Sequence, residues 1–355
     1  MQINLHRDPK HLMGISVLQA EVRRRLWATI VEMTVQAALD SAVSPNLPES
    51  DTLPPANIND EDIGESSGEL LSHPMSTYTT TYMQLLLLES LPIRLRILNT
   101  LTSLSSKISY LDVIELSSEL TDALASSQRG LKEASDPGIA PFKRNILDYL
   151  VRRFMIILHC PFMHQARTNP LLSSSLKASL DAAMAIMSPE PDKSTSKLMA
   201  TGGGLFREGI WCAMTVISIE LLAQVETQRL DGTLHRNHGY IGLLEKVVRD
   251  LNVFSAERIR QGETNIKSHM FMSMIIALVE AKQTGADCEL SIAQGAKDSL
   301  EFCCGLLLEL ADTASLAHSS DCAVPGVGVG QHGEFAPDFD LDLDWDFLLP
   351  DSGFQ

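Results

Sequence analysis

EVRRRLWATIVEMTVQAALD, residues 21–40, is the segment from which the architecture can be worked out. Val22, Leu26, Ile30, Met33 and Ala37 recur at helical spacing, and Trp27, Val31, Thr34 and Ala38 widen the stripe. The spacing predicts a helix over about 17–42 with this stripe toward the core. At about 100° per residue, Arg24 and Arg25 fall off the stripe and Arg23 falls inside it. Glu21 and Arg25, four apart, can pair on the wet face. A guanidinium on a core-facing stripe needs a carboxylate or carbonyl partner, because an unpaired buried charge is very costly. Asp60, Glu61 and Asp62, in the acidic stretch NINDEDI at 57–63, are the candidates. Arg23 is therefore expected to clamp this helix to the 57–63 loop. Three consecutive arginines point in three directions on a helix. They make a poor phosphate-tracking stripe and read as structural rather than as a DNA contact.

The same texture continues along the chain. Further helices are expected at about 77–103 with a bend at Pro92, 110–134, 142–159 with a stop at Pro161, and 171–188. Four more are expected at about 205–230, 239–260, 263–283 and 288–313. The long segment 43–75, the DPG break at 136–138 and the stretch 189–204 read as loops. No strand alternation is persuasive. The class is all-α: a multi-helix body over 1–314, a flexible linker over 315–333 containing VPGVGVG, and a tail over 334–355.

Composition narrows the function. With 45% hydrophobic residues in 355, the chain can bury a sizeable core. A net charge of -17 lacks the basic footprint of a nucleic-acid-binding domain. The start, MQINLHRDPK, has no apolar signal-peptide core, and the apolar run 210–225 is interrupted by Glu220, so no membrane span is expected. The cysteines (Cys160, Cys212, Cys288, Cys303, Cys304 and Cys322) are scattered without a C-x-x-C pair, which suits a reducing compartment and argues against a zinc cluster. Cys303-Cys304 reads as core packing.

The tail EFAPDFDLDLDWDFLLPDSGFQ has no Lys or Arg, and its aspartates alternate with Phe339, Leu341, Leu343, Trp345 and Phe347, with Leu348 following. Like-charge repulsion opposes collapse and leaves the apolar side chains available as anchors for a groove on a partner. This is the chemistry of a disordered acidic-hydrophobic activation segment. Elsewhere, His159, Cys160 and His164 crowd a helix end, but Pro161 intervenes and no fourth ligand is near, so a buried His and Cys are expected rather than a metal site. GGGLFREG at 202–209 lacks the strand and the Lys-Ser/Thr end of a phosphate loop and reads as a turn into a helix. The Met-rich run Met270, Met272 and Met274 reads as core. No catalytic constellation emerges, so catalytic and metal residues are none.

LHRDP (5–9), EVRRRLW (21–27) and PPANINDEDI (54–63), in that order, resemble the middle regulatory domain of fungal zinc-binuclear-cluster (six-cysteine) transcription factors. LHCPF at 158–162 is a second echo, with Cys160 where the family usually shows arginine. DSAVSPNLP stands where the family tends to have a Gly-Arg-Pro-like turn. The resemblance implies a nuclear transcription regulator, not an enzyme, acting on RNA polymerase II transcription of a metabolic or secondary-metabolite gene set. The zinc-cluster module is absent from this chain, so the chain is expected to begin partway through the regulatory domain and to expose apolar surface there. Zinc is expected only in that module, with no cofactor in this chain. DNA would be reached through that module or a partner, and coactivators through the acidic tail. A homodimer and a small-molecule effector held between helices are also implied, with ligand-binding residues unassigned. A non-DNA-binding coregulator is the alternative, and a helical enzyme of unknown type is a weaker one.

Overall fold

The computed structural model describes residues 4–64, 70–103, 108–133, 141–163, 165–231 and 237–320. These form α1 (Val17–Asp40), α2 (Tyr82–Leu101), α3 (Tyr110–Glu133), α4 (Pro141–Met163) and α5 (Ser173–Met187). They continue through α6 (Lys193–Thr201), α7 (Leu205–Asp231), α8 (His238–Arg260), α9 (Lys267–Thr284) and α10 (Cys288–Ser320). No strand occurs among the described residues, and the fold is all-α, as the periodicity predicts.

Local chemistry sets the helix ends. Ser16 Oγ accepts from the Gln19 N–H at 3.2 Å while the Gln19 side chain accepts from the Ser16 N–H at 3.3 Å, a reciprocal cap for α1. Gly285 at φ 74° closes α9 in the left-handed conformation that glycine adopts without strain. α4 and α7 form the centre. α4 packs against α2, α3 and α5; α7 packs against α1, α5, α8 and α9; α10 lies over α9 and α8. Val151, Phe154, Leu158, Ala213 and Ile217 are fully buried in the main core. The segment 205–230 of α7 is apolar and long enough to cross a bilayer, which the shorter 210–225 window understated. Most of that apolar window is buried among neighbouring helices, so it serves as a core helix.

Several expectations need correction. α1 turns the other face inward. Val22, Leu26, Ile30 and Met33 are between 40 and 68% exposed, and Ala37 is exposed too. The inner face carries Glu21, Ala28, Val31, Val35, Gln36, Ala38 and Leu39. Its polar members find partners there, and those bonds fix the rotation of the helix. α4 runs through Pro161 to Met163. A proline in a last turn removes a single backbone bond, while Met163 is buried and Phe162 packs edge-on against Tyr110 at 5.2 Å. The stretch 189–204 holds α6, because Asp192 caps it by accepting from the Thr195 N–H at 2.6 Å. α10 continues to Ser320, past the expected boundary at 314. The position of the expected bend, Pro92, lies inside α2, which continues through it as foreseen. The DPG break, the 324–330 linker and the whole 334–355 tail lie outside the described residues.

α1 and α2 are joined by Arg94, which is fully buried. Its Nη1 and Nη2 donate to Glu32 at 2.7 and 2.8 Å, and Nη2 also donates to the Leu87 carbonyl at 2.7 Å. Glu32→Ala leaves that guanidinium buried without its counter-charge and is expected to cost about 3–5 kcal/mol in urea unfolding. The double variant Glu32→Met/Arg94→Met is expected to recover most of the loss, since it removes both charges. A loss below about 1 kcal/mol for Glu32→Ala would contradict this account.

Candidate functional site

Each arginine of the 23–25 triplet holds a different segment. Arg23 Nη2 donates to the Asn4 carbonyl at 2.9 Å. Arg24 meets Asp8 through Nε and Nη2, both at 3.1 Å. Arg25 Nε donates to Glu21 at 3.2 Å, and its Nη1 pairs with Asp60. The clamp to the 57–63 loop therefore comes from Arg25, and Asp60 is the acid it uses. Arg23 points instead toward the N-terminal strap, because successive helical residues diverge by about 100°. Glu61 and Asp62 are exposed, and Asp62 accepts from the Asn59 N–H at 3.1 Å in its own turn. Glu21, expected on the wet face, is fully buried and accepts from the Ala56 N–H at 3.1 Å.

The long loop is ordered by the same logic. Asn57 is buried, and its Nδ2 donates to the carbonyls of His73, Pro74 and Thr77, at 3.3, 2.9 and 3.0 Å. Its Oδ1 accepts from Thr79 at 2.6 Å. Asp8, also fully buried, accepts from the Lys10 and Leu53 N–H groups at 2.9 and 3.0 Å. Burial alone would raise the Asp8 carboxyl, but the bonds from Arg24, Leu53 and Lys10 hold it well below the ordinary carboxylate range.

Further along α1, Glu32, Gln36 and Asp40 stand one turn apart on the inner face. Gln36 Nε2 donates to the Leu150 carbonyl at 2.9 Å. Arg153 of α4 donates from Nη1 to Gln36 at 2.8 Å and from Nη2 to Asp40. Burial pushes the Arg153 guanidinium down to about 10, so it remains a cation at neutral pH.

Beyond this row lies a cavity of about 170 Å³, walled by the end of α1, by α4 and by α7. Leu39, Ile156, Ile157, Met163 and Val216 make it largely apolar; Asp40, Arg153, Glu208 and Thr215 add polar groups, and Cys160 and Cys212 add thiols. Burial raises both thiols, Cys212 to about 12, so neither is a ready nucleophile. The arrangement suits binding rather than bond-making. Sequence reading missed this cavity; the one signal available was Cys160 following a strongly apolar helix.

The remaining sequence candidates resolve into structure. His159 is buried, with Nδ1 2.9 Å from Ser175 Oγ and Nε2 2.9 Å from Ser117 Oγ, so both ring nitrogens are engaged. His164 lies outside the described residues. Among the described residues no cluster of three or more His, Cys, Asp or Glu is placed to hold a metal. The 202–204 glycines make the turn between α6 and α7, with Gly204 at φ 50°, and Arg258 Nη2 donates to the Gly202 carbonyl at 2.9 Å. Met272 is fully buried and Met270 and Met274 partly so; Cys303 is buried and Cys304 exposed.

The site and fold define an all-helical, ligand-sized-cavity body held by internal ion pairs. Comparison with known proteins gives the family. The transcription factor asR3 of Sarocladium schorii is 40% identical over 98% of this chain and 46% of its own length. The transcription factor lepE of Aspergillus flavus is 30% identical over 91% of this chain and 41% of its own. The aspyridones cluster regulator apdR of Emericella nidulans is 30% identical over 85% and 44%. More distant relatives carry the name Zn(2)-C6 fungal-type transcription factor. No family model and no solved structure matches the chain. The chain belongs to the fungal Zn(2)-C6 transcription factor family and spans just under half the length of these curated relatives. Those names point to a non-enzyme.

Asp8→Asn tests the strap. The substitution weakens the Arg24 pair and is expected to cost about 2 kcal/mol at pH 7. Because the folded carboxyl titrates below its unfolded value of about 3.9, its stabilisation is full above about pH 5 and is lost as the pH falls toward the folded value. The gap between wild type and variant in urea unfolding should therefore shrink from pH 5 to pH 2. A gap constant across that window would show that Asp8 does not carry it.

Proposed function

We propose that this chain is the regulatory and activation portion of a fungal transcription regulator. It acts in the nucleus on RNA polymerase II transcription of a metabolic or secondary-metabolite gene set. The observation that carries this reading is the relationship, along nearly the whole chain, to curated transcription factors, one of them named a cluster regulator. The acidic chain has no clustered cysteines, so DNA contact falls to a zinc-cluster module or to a partner; zinc belongs to that module and not to residues 1–355. The helical body over 1–314 restrains or presents the 334–355 tail and responds to a small-molecule effector. The tail recruits coactivators through Phe339, Leu341, Leu343, Trp345, Phe347 and Leu348.

A fusion of residues 331–355 to an unrelated DNA-binding domain is expected to activate a reporter. Replacing Trp345, Phe347 and Leu348 by alanine should drop the signal to near background while the acidic charge is kept. A silent fusion, or full activity in the triple variant, would remove the activation role from the tail.

A further inference from the structure

The outer face of α1 is apolar, exposed and nearly free of charge. Leu26, Ile30, Met33 and Ala37 fall within about 60° of one another around the helix. Leu26 is 49% exposed, Ile30 40% and Met33 68%, and Ala37 is exposed too. From Leu26 to Leu39 the sole charged residue is Glu32. It belongs to the inner face, bound to Arg94 at 2.7 and 2.8 Å. The polar neighbours of the stripe are already satisfied. Thr29 Oγ1 donates to the Arg25 carbonyl at 3.0 Å and accepts from Gln84 Nε2 at 2.9 Å; Thr34 Oγ1 donates to the Ile30 carbonyl at 2.8 Å. Covering this face would therefore strand no donor and no charge. Single exposed leucines are ordinary, but a continuous stripe held outward by buried ion pairs on the opposite face of its helix marks an interaction surface.

Charge and spacing choose the occupant. The acidic tail carries aspartates between its apolar anchors (Asp340, Asp342, Asp344 and Asp346), and α1 offers those carboxylates no cation between Leu26 and Leu39. A second copy offers an identical neutral face, which two chains of net charge -17 can bring together with the least added repulsion. Positions 26, 30, 33 and 37 are spaced four, three and four, the heptad interval of helices that pack side by side. That spacing reads the same in both directions. An antiparallel pair about a two-fold axis therefore sets Leu26 opposite Ala37 and Ile30 opposite Met33, large against small and branched against flexible. The exposed parts of Val22, Leu26, Ile30 and Met33 come to roughly 350 Å² per copy; with the flanking Trp27, Thr29, Thr34 and Ala37, the pair would bury about 1,000 Å² in total, the lower end for a specific interface. We propose that two copies of this chain associate through the outer faces of their α1 helices, antiparallel, with Leu26, Ile30, Met33 and Ala37 as the seam. The association is reversible, in the micromolar range. It goes beyond the regulatory reading given above and stands without it.

The test uses the full chain. Sedimentation velocity across about 0.5 to 50 μM should show a monomer–dimer equilibrium. It should tighten between about 50 and 500 mM NaCl, since salt screens the repulsion of two acidic chains and leaves an uncharged seam intact. Met33→Glu, at the most exposed large side chain of the stripe, should raise the Kd about a hundredfold, because each copy would bring an unpaired carboxylate into the seam, with helicity unchanged by circular dichroism. The register is read by cross-linking in a Cys304→Ser/Cys322→Ser background. Leu26→Cys/Ala37→Cys should form an interchain disulfide with copper phenanthroline in air, and neither single cysteine should; the two positions lie about 16 Å apart along one helix and cannot bridge within a chain. Maleimide labelling of Met33→Cys should slow as the protein concentration rises. A monomer at every concentration, association that weakens with salt, association unchanged in Met33→Glu, or cross-linking by Leu26→Cys alone would overturn the assignment. Protection of Met33→Cys that does not depend on concentration would place a segment of the same chain over α1, the tail included, and would overturn it as well.

Discussion

The row Glu32, Gln36 and Asp40 on α1 is the constraint that the rest of the body obeys. Three polar residues one turn apart face two buried guanidiniums, Arg94 on α2 and Arg153 on α4, and the Leu150 carbonyl. A buried ion pair need not add net stability, since desolvation offsets much of the attraction. Breaking it on one side is strongly unfavourable. The pairs therefore act chiefly by excluding other arrangements. Rotating α1 by a quarter turn would bury its apolar stripe, and it would also strand both arginines. The stripe stays outside because the apolar gain, at roughly 25 cal/mol per Å² over a few half-exposed side chains, is smaller than the cost of two uncompensated buried charges.

With the rotation of α1 fixed, the directions of Arg23, Arg24 and Arg25 follow. One reaches Asn4, one Asp8 and one Asp60, so LHRDP, EVRRRLW and NINDEDI become parts of a single constellation. This explains how a connection as long as 43–75 can lie against the body. Its backbone donors and acceptors are met by Glu21, Asn57, Thr81 and Asp8. An ordered run of three arginines here is consumed by internal contacts, and the charge it presents outward is correspondingly small.

Nine of the ten described helices were legible in the sequence because a 3.6-residue period survives in those segments, while some ends were not: α2 starts five residues later than expected and α10 ends seven later. The α1 face was not legible. A period argument counts charged residues as solvent-facing, and Glu21, Glu32 and Asp40 face inward because their partners lie far along the chain: Arg153 is 113 residues from Asp40. The arginine clamp was legible as a pairing of helix with loop but not as to which arginine serves it, since neighbouring helical positions differ only in direction. α6 was legible in principle, from Asp192 standing three before Thr195, and was masked by the surrounding Pro, Ser and Gly. The cavity left almost no trace in sequence, because its walls come from three helices far apart along the chain.

Arg153 belongs to both the row and the cavity wall, and this ties the rotation of α1 to the packing of α4 on α7. Its two terminal nitrogens position α1 through Gln36 and Asp40, while its Nε packs against Gly209 of α7. A Cβ at position 209 would stand 2.6 Å from that Nε and displace the whole guanidinium from Gln36 and Asp40, because the group is planar and its donors are fixed relative to one another. Glycine at 209 thus favours the arrangement in which α1, α4 and α7 are locked together. It does so through the same residue whose loss of partners the rotation of α1 already avoids.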